Sequence, residues 1–116
     1  MSENALETGI ESALPQRIRA LPRATALVPT HRLAAPGCDV LFIAAPAGSG
    51  VPAHHHDTDN ATVVVSGETI LTTADGEHRY GAGDWYETES GEEHAVRFEV
   101  DTVQVELRFA QEGAGA

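Results

Sequence analysis

The sequence predicts an all-β fold, an antiparallel sandwich or barrel of about nine short strands. Three observations carry that prediction. Short runs rich in Val, Ile, Thr and aromatic residues recur from residue 25 onward. Gly, Pro, Asn and Asp punctuate them at intervals of roughly 5 to 12 residues. No segment with helical periodicity stands between them. The chain has 116 residues, which suits one small domain, and its 41% hydrophobic content is enough for a core. No solenoid-type repeat appears.

Residues 2–14 read as a short helix or a frayed arm. Leu6, Ile10 and Leu14 recur at i, i+4 and i+8, and Ser2 is a candidate cap ahead of acidic residues. Gly9 weakens this helix and Pro15 ends it. A proline-punctuated stretch follows, so residues 1–24 are expected to form an N-terminal arm. Residues 25–110 are expected to form the β domain, and residues 111–116, small and polar, a mobile tail.

A first strand is expected over residues 25–33, broken or on an edge because of Pro29. Pro36-Gly37 marks a turn, and residues 40–45 form a strong strand. A loop over 46–50 leads to a strand over 51–56, and Asp57-Thr58-Asp59-Asn60 is a turn cluster. Residues 62–66 read as a buried strand, Gly67-Glu68 as a tight turn and 69–74 as a strand. Asp75-Gly76 predicts a type I′ hairpin, with 77–80 returning. Residues 81–84 turn again, 85–87 are a short strand, and 89–93 loop around Gly91.

The last two strands, 94–100 and 102–109, have legible faces. Val103, Val105, Leu107 and Phe109 alternate with Gln104, Glu106 and Arg108, and the apolar side is expected to be the core. His94 shares parity with Val96, Phe98 and Val100, against Arg97 and Glu99. It is therefore expected to look inward.

Formal net charge is -11, with seven arginines and no lysine, which argues against a nucleic-acid or anionic-membrane partner. Arg17, Arg19 and Arg23 cluster ahead of the strands and read as solvated surface. No apolar run approaches the roughly 20 residues of a membrane span. The acidic start, Met1-Ser2-Glu3-Asn4, is wrong for a secretory signal, so a cytoplasmic protein is expected. Cys38, the single cysteine, reads as a buried reduced thiol.

The chemistry concentrates in His54-His55-His56. On an extended strand His54 and His56 share a face while His55 points away to solvent. Two imidazoles on one face, two residues apart, suit a metal, although a polar strand end has the same pattern. An inward His94 would make three. Three nitrogen ligands with open positions suit Fe, Mn, Ni, Cu or Zn and leave room for a water or substrate. His31 and His78 read as surface positions. No Ser-His-Asp set, phosphate loop or zinc-finger spacing appears, and no catalytic residue is assigned.

These residues resemble the cupin superfamily. Gly48, His54, His56 and Gly67 fall in register with its first motif, which runs from a glycine through His-x-His and a glutamate to a second glycine. Gly83, Gly91 and His94 match the second motif. Three positions depart: Asn60 stands at the glutamate, Glu89 at the second motif's proline and Phe98 at its closing asparagine. The resemblance spans roughly residues 40 to 109. It implies a double-stranded β-helix, or jelly-roll barrel, holding one divalent metal through His54, His56, His94 and the residue at 60.

Asn60 offers a neutral carbonyl oxygen on a shorter side chain than glutamate. It could ligate weakly, act through a water or bond a substrate. Without the carboxylate the metal centre is one unit more positive and favours an anionic ligand. Asp57 and Asp59 read as turn surface. The expected pocket wall is Phe42, Val64, Trp85, Tyr86, Val96 and Phe98, with at most one of the adjacent Trp85 and Tyr86 facing in. Glu87 and Glu89 could supply a base near the mouth, or be loop surface.

The resemblance leaves three function classes open: a metal-dependent dioxygenase, isomerase or lyase acting on a small oxygen-bearing molecule; a binding or sensor barrel without turnover; and a metal-free barrel. It also implies a homodimer, with the N-terminal arm crossing onto the partner.

Overall fold

The computed structural model describes residues 9–110. It contains nine strands: β1 (Thr30–Leu33), β2 (Cys38–Ala45), β3 (Ser49–His54), β4 (Asp59–Ser66), β5 (Glu68–Thr73), β6 (Gly76–Gly81), β7 (Trp85–Thr88), β8 (His94–Phe98) and β9 (Thr102–Phe109). Four antiparallel pairs nest inside one another: β5 with β6, β4 with β7, β3 with β8 and β2 with β9. Strand twist keeps so long a nested hairpin from lying flat. It rolls into two facing sheets, ordered β1-β2-β9-β4-β7 and β3-β8-β5-β6. This is the jelly-roll barrel.

Several boundaries differ from the sequence reading. The first strand begins only at Thr30, after Pro29, with a single bridge between Arg23 and His31 ahead of it. The histidine strand stops at His54, so His55 and His56 lie beyond it. The expected turn at 57–60 is shorter, because Asp59 and Asn60 already pair in β4. The β5–β6 turn is not type I′: that turn needs positive φ at both central residues, and neither Ala74 nor Asp75 has it. The positive φ, 118°, falls on Gly76 instead. Cys38 is half-buried rather than buried.

The larger correction concerns β9. Its polar residues, Gln104, Glu106 and Arg108, face into the barrel, and Val103, Val105, Leu107 and Phe109 face out. The apolar-side-inward rule fails here because the barrel interior is partly a polar cavity and the outer face is partly covered. A 3-10 helix (Ile10–Ala13) and a one-turn helix, α1 (Gln16–Arg19), lie against that outer face. Ile10, Leu14 and Ile18 pack over Ala44 and Val103. The remainder of the expected N-terminal helix, including Leu6, lies outside the described residues, as does the tail 111–116.

The arm is also held by charge. Glu11 is fully buried, and its carboxylate meets the ring Nε2 of His31 at 2.5 Å and Arg23 at 3.2 Å. His31 is therefore core, not surface, and Arg23 is not merely solvated. His55 and His78 are exposed.

Inside the barrel, Val28, Leu41, Ile43, Ala45 and Phe98 form one apolar cluster, and Val64, Leu71 and Tyr86 another; Val96 packs against both. Gly67, at φ 85°, fits where a Cβ would fall 2.3 Å from the Asp101 carbonyl oxygen.

Candidate metal centre

The register of β3 against β8 places His54 opposite His94. A bulge between Val51 and His54 turns that end of β3. Gly50 permits the close pairing: a Cβ there would lie 2.7 Å from the Val96 carbonyl oxygen. His56 reaches the same point from the turn after β3. The ring centroids lie 4.7 Å (His54–His56), 4.4 Å (His54–His94) and 5.4 Å (His56–His94) apart. One nitrogen from each ring lies within 4.8 Å of the others.

Hydrogen bonds orient two of the rings. The Nδ1–H of His54 donates to the Pro52 carbonyl at 2.8 Å, and that of His94 to the Glu92 carbonyl at 3.0 Å. A carbonyl only accepts, so each ring carries its proton on Nδ1 and turns a bare Nε2 inward. Backbone carbonyls orient metal-bound histidines in this way. The Nε2 atoms of His54 and His56 are 3.1 Å apart. Two nitrogens each about 2.1 Å from one ion span about that distance. The donor set thus fits a divalent transition metal. Burial and then the positive charge of Arg108 hold His56 down to about 4, so its ring is neutral near pH 7.

Asn60, at the position of the family's glutamate, is buried on β4. Its Oδ1 accepts a bond from the Thr58 hydroxyl at 2.6 Å, and its amide donates to Glu106 at 3.5 Å. Asp59 accepts from the Ser90 amide, and Asp57 is exposed.

The three histidines border a cavity of about 620 Å³. Tyr86, Val96 and Phe98 line it, but three other expected wall residues do not. Val64 is wholly buried in the core. Phe42 and Trp85 stand on the outer face of the larger sheet, Trp85 being 57% exposed. Alternation explains both: Leu41, Ile43 and Tyr86, their neighbours, take the inner face. Glu87 and Glu89 are exposed outside this cavity.

The residues that sequence reasoning missed come from the polar side of the larger sheet: Arg32, Asp39, Thr62, Gln104, Glu106 and Arg108. Their signal was the polar stripe of β9, assigned to the wrong face. Cross-strand register sets them in rows: Asp39, Arg108 and Asn60 in one, Leu41, Glu106 and Thr62 in the next, Ile43, Gln104 and Val64 in the third. Gln104 accepts from the Thr69 hydroxyl at 2.7 Å and the Tyr86 hydroxyl at 3.1 Å. Burial, with the nearby Glu106 charge, pushes the Tyr86 phenol well above its ordinary range.

A jelly-roll barrel with three inward imidazoles at one end of its cavity defines a small β-barrel with a candidate mononuclear metal centre. Residues 40–110 match the family of the cupin domain, and the chain belongs to the cupins. A cupin superfamily protein from Desulfitobacterium hafniense is similar at a TM-score of 0.70 and 16% identity, over 84% of this chain and 90% of that one. An RmlC-like cupin from Shewanella frigidimarina gives 0.71 and 13%, over 84% and 91%. An oxalate decarboxylase from Bacillus subtilis gives 0.69 and 12%, over 79% of this chain and 28% of that one. At these identities the likeness is one of fold. No curated protein sequence matches the chain.

Proposed function

We propose that this cupin holds one divalent transition metal (Fe, Mn, Ni, Cu or Zn) and acts on a small oxygen-bearing organic molecule, by dioxygenase, isomerase or lyase chemistry. The carrying observation is the convergence of three imidazoles, two of them with Nδ1 bonded to carbonyls. His54, His56 and His94 would hold the ion. Asn60 completes the proposed set as a neutral oxygen donor, using the lone pair that Thr58 leaves free. A bound ion would polarise a substrate oxygen. Tyr86, Val96 and Phe98 would wall the substrate, with the Tyr86 phenol kept protonated and donating to Gln104.

A second reading, a binding or sensor barrel without turnover, has its own support. The cavity carboxylates Asp39 and Glu106 are each engaged by an arginine, which makes either a poor general base. Oxygen uptake and substrate depletion by metal-loaded protein, run beside binding measurements, separate the two readings. Binding without turnover selects the second.

Composition supports a cytoplasmic setting, and the proposed ligand is a small molecule. Among the described residues no helix is long and apolar enough to cross a membrane. The proposed division is an arm over 1–24, the barrel over 25–110 and a tail over 111–116. A homodimer is also proposed, supported by the apolar outer face of the larger sheet.

A further inference from the structure

We infer that the cavity takes a small organic carboxylate with an apolar body, its carboxylate gripped by Arg108 beside the histidine cluster and its body seated against Leu41, Ile43, Val96 and Phe98. For the sign of the site's charge, the inference rests on the metal reading above.

Arg108 is placed for this role by β9. It lies on the cavity side, in register with Asp39 on one neighbouring strand and Asn60 on the other. It lines the cavity together with His56. Its Nε donates to Glu106 at 2.6 Å, which fixes the guanidinium plane. Its two terminal nitrogens have no protein partner among the described residues. A guanidinium held through Nε, with its terminal nitrogens free, presents parallel N–H groups to an incoming carboxylate.

Charge selects an anion. The chain as a whole is strongly acidic, yet the cavity is lined by three arginines, Arg23, Arg32 and Arg108, against two carboxylates, Asp39 and Glu106. Arg32 bonds Asp39 at 2.5 Å, Arg108 bonds Glu106 at 2.6 Å, and Arg23 bonds Glu11 outside the cavity at 3.2 Å. The histidine cluster contains no carboxylate, so no ligand charge in it would offset a bound dication. In a partly desolvated cavity that excess is best met by an anionic ligand.

The other end of the cavity sets the body of the ligand. Leu41, Ile43, Val96, Phe98 and Val28 line it, and the hydroxyl of Thr30 is already committed to the Val28 carbonyl. A polyhydroxylated or phosphorylated ligand would leave polar groups unpaired against that wall. The cavity volume is that of a small-molecule site.

Isothermal titration of the metal-loaded chain with hexanoate, 1-hexanol and acetate tests the inference, with metal content measured on the same samples. Hexanoate is expected to bind with a dissociation constant below about 1 mM. 1-Hexanol and acetate should each bind at least tenfold more weakly. Arg108→Gln should weaken hexanoate at least tenfold, leave 1-hexanol unchanged and retain the metal. Arg108→Lys should fall between. Absence of hexanoate binding, equal binding of 1-hexanol, or an indifferent and folded Arg108→Gln variant would each overturn the inference. If Arg108→Gln does not fold, the hexanoate–hexanol ratio of the parent decides. Hexanoate binding that depends on Arg108 in a chain that takes up no metal would instead defeat the metal reading and leave this one standing.

Discussion

Glu11 on the N-terminal arm and His31 on the first strand meet at 2.5 Å in a buried site. The Nδ1 of His31 faces the Leu21 carbonyl at 3.1 Å, so it must donate there. The Glu11 oxygen on the other side then shares a proton with Nε2. Such a pair orients the arm but gives it little net stability; removing one partner, however, leaves a buried polar group stranded. Glu11→Ala is expected to cost about 3–5 kcal/mol in urea unfolding. Glu11→Gln, whose side-chain amide can donate to a bare Nε2, should cost less. A loss under about 1 kcal/mol for Glu11→Ala would show that the arm is not held this way.

Gly50 governs the closeness of β3 and β8. Gly50→Ala should force β3 away from the Val96 carbonyl and pull His54 from His94, lowering both thermal stability and metal affinity. Gly9→Ala is the control, because nothing lies within 4 Å of its added methyl. It should stay within about 0.5 kcal/mol of the parent. Equal effects of the two substitutions would refute the close-pairing argument.

Stability of the metal-free protein should depend on pH through His56, held at about 4 against an ordinary 6.5. Above pH 6.5 the ring is neutral in both folded and unfolded chains, and this contribution is fully present. Between 6.5 and 4 the unfolded chain takes up a proton that the folded chain refuses, so stability falls with pH and levels off below. His56 is partly exposed, and solvent screening reduces the effect. The urea midpoint should be lower at pH 5 than at pH 7, and His56→Gln should lose less over that interval. Identical losses would contradict the assignment.

The strand pattern was legible because turn residues and alternation are local. The histidines were legible because His54, His56 and His94 sit in two spaced motifs. What could not be read was which face of β9 is inside. A strand with one apolar and one polar face normally buries the apolar one. Here the polar face lines the ligand cavity, and the outer face is sheltered at one end by Ile10, Leu14 and Ile18. The same inversion put Phe42 and Trp85 in the expected pocket and left out Glu106 and Arg108. His31 was missed because its partner, Glu11, is 20 residues away.

The outer face of the larger sheet carries a row formed by Phe42, Val105, Val63 and Trp85, beside a second formed by Leu33, Val40, Leu107 and Ala61. Leu33 and Trp85 are exposed. A second copy is the expected cover. Light scattering should give a mass near twice the 12.3 kDa of the chain, and Trp85→Glu should halve it. A monomeric parent at micromolar concentration would sink the dimer.

The central claim is the three-histidine centre, and elemental analysis of untagged protein tests it most directly. The parent should carry about one equivalent of Fe, Mn, Ni, Cu or Zn, and His56→Ala should lose it while remaining folded. A parent that binds no metal even after reconstitution, or a His56→Ala variant that keeps its metal, would contradict the account.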